Sequence, residues 1–128
     1  MQILGVGVDI IENSRIKKSI KNKKFLSRVF SKIEIVNSRN ISNKSNYFSK
    51  RFAAKEAFSK ASGLGISRNL HFKNIEIKKN NKGRPSINLQ ATTKKFLKKK
   101  FNVKSFKTNL SLSDEQNYSI AYVIIEKT

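Results

Sequence analysis

Only eight acidic residues stand among 128, and two of them, Asp9 and Glu56, occupy positions that solvation alone does not account for. Asp9 lies inside the apolar run Ile-Leu-Gly-Val-Gly-Val-Asp-Ile-Ile at residues 3–11. Strand alternation places it on one face with Ile3, Gly5, Gly7 and Ile11, leaving Leu4, Val6, Val8 and Ile10 to pack the other. Two glycines beside a carboxylate leave open space in which a ligand could approach the backbone. An ionised carboxylate in such surroundings is expensive unless it is paired or holds a metal. The alternative is an Asp near a strand end that accepts hydrogen bonds or pairs with one of the many lysines. Glu56 falls one helical turn beyond Phe52 and one turn before Lys60, a spacing that by itself also describes an ordinary helical ion pair with Lys60. The two acids together are more specific than either alone. The chain has no cysteine and a single histidine, His71. Two carboxylates then suit a hard, oxygen-preferring ion such as Mg²⁺, which keeps several waters and takes its other ligands from phosphate.

The residues around Glu56 have the character of a phosphate site. Arg51, Lys55 and Lys60 approach from the same helix, and Gly63-Leu64-Gly65 offers backbone amides at its end. A helix C-cap explains Gly63 equally well, and Gly83-Arg84-Pro85 reads as a turn entering a strand. With two carboxylates nearby, the set fits a Mg-diphosphate ligand.

A chain of 14.6 kDa makes one compact domain, residues 1–128. No charged-then-apolar leader and no long apolar run is present, so the expectation is a soluble, cytoplasmic protein with no membrane association. The net charge of +20 should attract nucleic acid, an anionic surface or an acidic protein. Its make-up weakens the simplest form of that argument. Of the 28 basic residues 22 are Lys, alongside 14 Asn and 15 Ile, and all three residue types have A/T-rich codons.

Elements that could position these groups follow from periodicity. Residues 3–11 form a buried strand, and residues 13–39 read as two or three short helices before a polar loop at 40–45. The longest helix runs from Asn46 to Ser62, favoured by Ala53, Ala54, Ala57 and Ala61 and stopped by Gly63. Strands are expected at Phe72–Lys78 and Ser86–Leu89 around the turn Asn80–Gly83. A basic helix follows at Thr92–Phe101, and two strands, Ser105–Leu112 and Tyr118–Ile125, flank a turn at 113–117. This order argues for an α+β fold with a mainly antiparallel sheet packed on one long helix.

Five blocks carry a resemblance that covers the whole chain. Gly5-Val6-Gly7-Val8-Asp9-Ile10 is followed by Arg51-Phe52-Ala53-Ala54-Lys55-Glu56-Ala57-Phe58-Ser59-Lys60-Ala61 and Gly63-Leu64-Gly65. Gly83-Arg84-Pro85 and Leu110-Ser111-Leu112-Ser113-Asp114-Glu115, with Tyr118 and Ala121, complete the pattern. It resembles the holo-acyl-carrier-protein synthase family of 4′-phosphopantetheinyl transferases, which prime the carrier protein of fatty-acid synthesis. The resemblance implies that Asp9 and Glu56 hold Mg²⁺ and that Lys60 stabilises the diphosphate of coenzyme A, the co-substrate. It implies further that Arg51, Gly63, Gly65, Gly83 and Pro85 shape the coenzyme A cleft, between neighbouring subunits of a homotrimer. Arg15, Lys24 and Arg28 match the basic surface that receives the acidic acyl carrier protein. Many relatives carry His where this chain has Asp114, so a role for an imidazole there does not transfer. An acid at that position could instead orient a neighbouring Arg or Lys.

The implied reaction is in-line attack of a carrier-protein serine on the β-phosphate of coenzyme A, with 3′,5′-ADP leaving. The serine proton goes either to Glu56 or to a metal-held water oriented by Asp9 or Glu56, and the water is the favoured acceptor because a metal-ligating carboxylate is a poor base. Two readings of other classes compete. One is a small nucleic-acid binder using the basic-aromatic run 94–101; the other is a structural subunit. In the first, helical spacing puts Phe96, Leu97, Lys100 and Phe101 on one side, the two Phe as core anchors, and leaves the remaining lysines as a solvated face. Neither rival explains Asp9 and Glu56, and specific nucleic-acid binding is not expected.

Overall fold

The computed structural model describes residues 1–128. Strand β1 (Gln2–Glu12) leads into three short helices, α1 (Asn13–Ser19), α2 (Lys23–Val29) and α3 (Lys32–Ser38), and then into the long helix α4 (Lys44–Ser62). A single 3₁₀ turn (Phe72–Asn74) precedes β2 (Ile75–Lys79), β3 (Pro85–Leu89), α5 (Ala91–Phe101), β4 (Phe106–Asp114) and β5 (Tyr118–Lys127). β1, β5 and β4 form one antiparallel sheet in that order, and β2 pairs with β3 in a second. The α+β architecture and the hairpin between the last two strands are as expected. One boundary differs: Phe72–Asn74, expected as strand, is helical because the Asn74 side chain accepts from the His71 amide at 2.7 Å and closes a tight turn.

α4 begins where Asn43 accepts the Asn46 amide at 3.1 Å, and ends where Gly63 takes the left-handed conformation at φ 77°. Ala53, Ala54, Ala57, Phe58 and Ala61 pack into a core closed by Ala121, Val123 and Ile125 of β5. The helix lies so close to β1 that a Cβ on Gly5 would sit 1.8 Å from the Ala61 carbonyl oxygen. One on Gly7 would sit 1.9 Å from that of Ala57. The space beside Asp9 that the glycines open is therefore filled by a helix backbone rather than by a ligand.

That contact also corrects the expected packing of β1. The glycine face is the inner one, whereas Val6, Val8 and Ile10 are 48–61% exposed on the outer face. Register brings Tyr122 opposite Val8, Ile120 opposite Ile10 and Tyr118 opposite Glu12, and these three side chains are exposed as well. The outer face of the sheet is thus a continuous apolar surface within a single chain. In α5, Leu97 is the buried anchor and Phe101 meets Phe106 edge-on at 6.0 Å, while Phe96 is exposed rather than a core anchor.

Candidate active site

The tight β1–α4 contact carries the two singled-out carboxylates to each other. Asp9, two residues beyond Gly7 on the inner face of β1, accepts a hydrogen bond from Lys60 Nζ at 3.1 Å, and the same ammonium donates to the Val8 carbonyl at 3.0 Å. Long helical side chains lean toward the helix N-terminus, so Lys60 reaches back along α4 toward Glu56 and Asp9. Burial pushes the half-buried Glu56 carboxyl above the usual carboxylate range. The nearby Asp9 charge adds to that rise and Lys60 opposes it. Two neighbouring acids with one ammonium, paired to Asp9 alone, form a site that favours added positive charge. No third Asp, Glu, His or Cys joins the cluster. The protein thus offers two carboxylates and no third side-chain ligand, a donor set that fits Mg²⁺, an ion that keeps several waters.

Lys55 does not join this site. It is fully buried and donates to Glu34 Oε1 at 2.8 Å and to the Phe72 carbonyl at 3.0 Å. Sequence reasoning passed over Glu34, which is 1% exposed. Its carboxylate also accepts from the Ser31 amide at 2.8 Å and the Ile77 amide at 2.9 Å. The signal was present in Ser31-Lys32-Ile33-Glu34, a capping box that the structure completes.

The amides of the glycine turn are likewise spoken for. Gly63 donates to the Lys60 carbonyl, Gly65 to that of Ser59, and Leu64 to Ser62 Oγ. Free backbone amides are thus not what this turn offers a phosphate. Gly63 and Gly65 instead provide a left-handed bend, with φ of 77° and 65°, beside which Lys100 donates to the Ser62 carbonyl at 2.7 Å.

Arg51 is buried and stacks over the Tyr47 ring at 3.5 Å, donating to the Tyr47 carbonyl at 3.1 Å. Its Nε has no partner. It lines a cavity of about 310 Å³ with Tyr47, Ile33, Ile41, Lys78 and Lys79. Burial and the neighbouring Lys50 and Arg51 charges pull the Lys79 ammonium below the usual lysine range. Asp114 sits beside this basic group, 3.4 Å from Lys50 Nζ and accepting from Asn46 Nδ2 at 2.8 Å. It orients a lysine, one of the alternatives open from sequence. Gly83 (φ 79°) and Pro85 stand at the β2–β3 turn, shaped by the Asn80 side chain accepting from the Lys82 and Arg84 amides. No hydrogen bond or ion pair joins Arg51, Gly83 or Pro85 to Asp9, Glu56 or Lys60. Arg15 on α1 and Lys24 and Arg28 on α2 are exposed.

Residues 5–123 match the 4′-phosphopantetheinyl transferase superfamily. The chain belongs to it. It is 54% identical, over 99% of both chains, to a holo-acyl-carrier-protein synthase of Pelagibacter ubique. A solved synthase from Neisseria meningitidis superposes with a TM-score of 0.89 at 34% identity, covering 98% of this chain and 100% of that one. One from Helicobacter pylori, crystallised in complex with coenzyme A, gives 0.78 at 35% identity, covering 94% and 99%. Fold and superfamily read from the sequence blocks thus agree with both comparisons.

Proposed function

We propose that the chain, acting as one domain over residues 1–128, is a holo-acyl-carrier-protein synthase. It moves the 4′-phosphopantetheine arm of coenzyme A to a serine of apo-acyl carrier protein, releases 3′,5′-ADP, and so serves fatty-acid biosynthesis. The observation that carries this reading is the convergence of Asp9, Glu56 and Lys60 across the β1–α4 contact, in a chain of this superfamily.

Asp9 and Glu56 would hold Mg²⁺. When bound, the ion neutralises charge on the diphosphate and polarises the phosphorus under attack. Lys60, half-exposed on α4 with its ammonium on Asp9, would pair with a diphosphate oxygen and stabilise the departing 3′,5′-ADP. Positioning and electrostatics dominate such a transfer. The serine proton would pass to a water that Asp9 or Glu56 orients, because a carboxylate engaged with a cation is a poor base. Arg15, Lys24 and Arg28 would meet the acidic carrier protein, since exposed charges of one sign steer an oppositely charged partner.

A neighbouring copy would complete the site. The exposed apolar face of Val6, Val8, Ile10, Ile120 and Tyr122 suits burial in a homotrimer. Assembly would bring one subunit's Arg51, Gly83 and Pro85 toward the next subunit's Asp9 and Glu56, with the Gly63–Gly65 turn bordering coenzyme A. Tyr122→Lys is accordingly expected to give a folded monomer with most of its turnover lost, whereas the unsubstituted chain sediments as three copies. Sedimentation velocity paired with an activity assay checks both.

The direct test is the intact mass of an apo-acyl carrier protein after incubation with the chain, coenzyme A and Mg²⁺. A gain of one phosphopantetheine, absent with EDTA, is expected. No gain with several bacterial carrier proteins, and no binding of coenzyme A, would overturn the reading.

A further inference from the structure

We propose that the buried Glu34–Lys55 ion pair is a positioning device: it sets the rotation and height of α4, and with them the place of Glu56 opposite Asp9. This rests on the two-carboxylate reading of the site and assigns residues that act on it from the far side of the helix.

The need for such a device follows from how α4 is buried. Ala53, Ala54 and Lys55 are all buried, as are Ala57, Phe58 and Ser59 in the next turn. Three consecutive buried residues span about 200° of a helix's circumference, so no narrow apolar stripe selects one rotation. The side facing β1 consists mostly of alanine methyls and carbonyls against glycine. Such a surface allows close approach but has few projections to resist a twist or a slide. Apolar contacts are non-directional, whereas hydrogen bonds to a charged group weaken steeply with misalignment.

The ion pair supplies that direction. Glu34 takes Lys55 Nζ, the Ser31 amide and the Ile77 amide, while Lys55 also holds the Phe72 carbonyl. Three segments are therefore fixed against α4: the 3₁₀ turn, β2, and α3, the last held a second time by Tyr47 Oη, which donates to the Glu34 carbonyl at 2.6 Å. Lys55 and Glu56 are adjacent, so their side chains diverge by about 100°. A helix rotated to satisfy Lys55 has its Glu56 direction determined. A buried ion pair adds little net stability over apolar replacements, and its best-attested use is to specify register.

The test uses the full chain, Mn²⁺ alone as the probe, read by the loss of the free-ion electron paramagnetic resonance signal, and steady-state kinetics. Glu34→Asp keeps both charges but shortens the reach by one methylene, and Glu34→Gln/Lys55→Met removes both charges at similar volume. Both are expected to bind Mn²⁺ about 10–100-fold more weakly, the range seen for groups that orient metal ligands. kcat should fall alongside while KM for the carrier protein stays put. Folded variants with unchanged Mn²⁺ affinity and kcat would overturn the proposal and leave the pair a purely structural role. If the double variant fails to fold, Glu34→Asp decides by the same criteria. Failure of the underlying site reading shows elsewhere: the unsubstituted chain would bind no Mn²⁺, or Asp9→Ala would bind it normally, and the proposal would fall with it.

Discussion

Glu56→Gln is expected to slow transfer by about 10²–10³-fold and, in the same molecule, to raise the melting temperature of the metal-free protein at neutral pH. The two effects have one cause. Burial, reinforced by Asp9, raises the Glu56 carboxyl above its ordinary 4.5. The folded state therefore binds this proton more tightly than the unfolded chain does. The stability this contributes is fully present below the unfolded value of 4.5 and is lost as pH rises through the folded-state pKa. At pH 7 the ionised carboxylate strains the fold, and a neutral amide of the same shape relieves it. Gln also withdraws a charged ligand from the metal and from the diphosphate, so turnover should drop by about 10²–10³-fold, the scale of losing one preorganised electrostatic group.

The same linkage predicts competition between protons and the divalent ion. Apparent metal affinity should fall as pH falls through the Glu56 transition, and the dependence should flatten in Glu56→Gln. Thermal melts with and without Mg²⁺ at several pH values measure both. A Glu56→Gln protein that melts lower than the parent at pH 7 without metal would contradict the raised carboxyl. Retained turnover would contradict the site.

How legible this was from the sequence depends on the range of the interaction involved. Asp9 and Glu56 were visible because each breaks a local pattern, one an apolar strand and the other a helix rich in alanine. Their meeting is a tertiary fact, but it is encoded locally by glycines that permit the approach. Glu34 was missed because its partners lie at residues 31, 55 and 77, so only one of the three is close in sequence. Lys55 was misplaced for the complementary reason. A lysine between apolar neighbours on a helix reads as a reaching cation, and nothing local reveals a carboxylate waiting 21 residues upstream. The orientation of β1 inverted the usual rule that apolar side chains face inward. Here the inner face is glycine and an acid, and the valines face out. Alternation within one strand carries no mark of surface that another copy could cover.

Gly7→Ala carries the second large expected effect and shows how the fold and the site share one contact. Its Cβ would lie 1.9 Å from the Ala57 carbonyl oxygen and 2.8 Å from the Ala61 nitrogen. Both are helix backbone, so no side chain can swing aside. Relief requires β1 and α4 to separate, which opens the core where Ala57, Phe58 and Ala121 are fully buried. The cost should reach about 3 kcal/mol or more, at the upper end for overpacking. Gly65→Ala is the informative control. Nothing lies within 4 Å of its Cβ position, and only its φ of 65° resists substitution, which costs about 1–2 kcal/mol. Chemical denaturation should therefore rank Gly7→Ala as markedly more destabilising, although both replace glycine by the same methyl. Whatever fraction of Gly7→Ala still folds should bind Mn²⁺ poorly, because the displacement that admits the methyl moves Asp9, two residues on, away from Glu56 and Lys60. If Gly7→Ala proved as stable as Gly65→Ala, the close β1–α4 approach on which the site is built would be wrong.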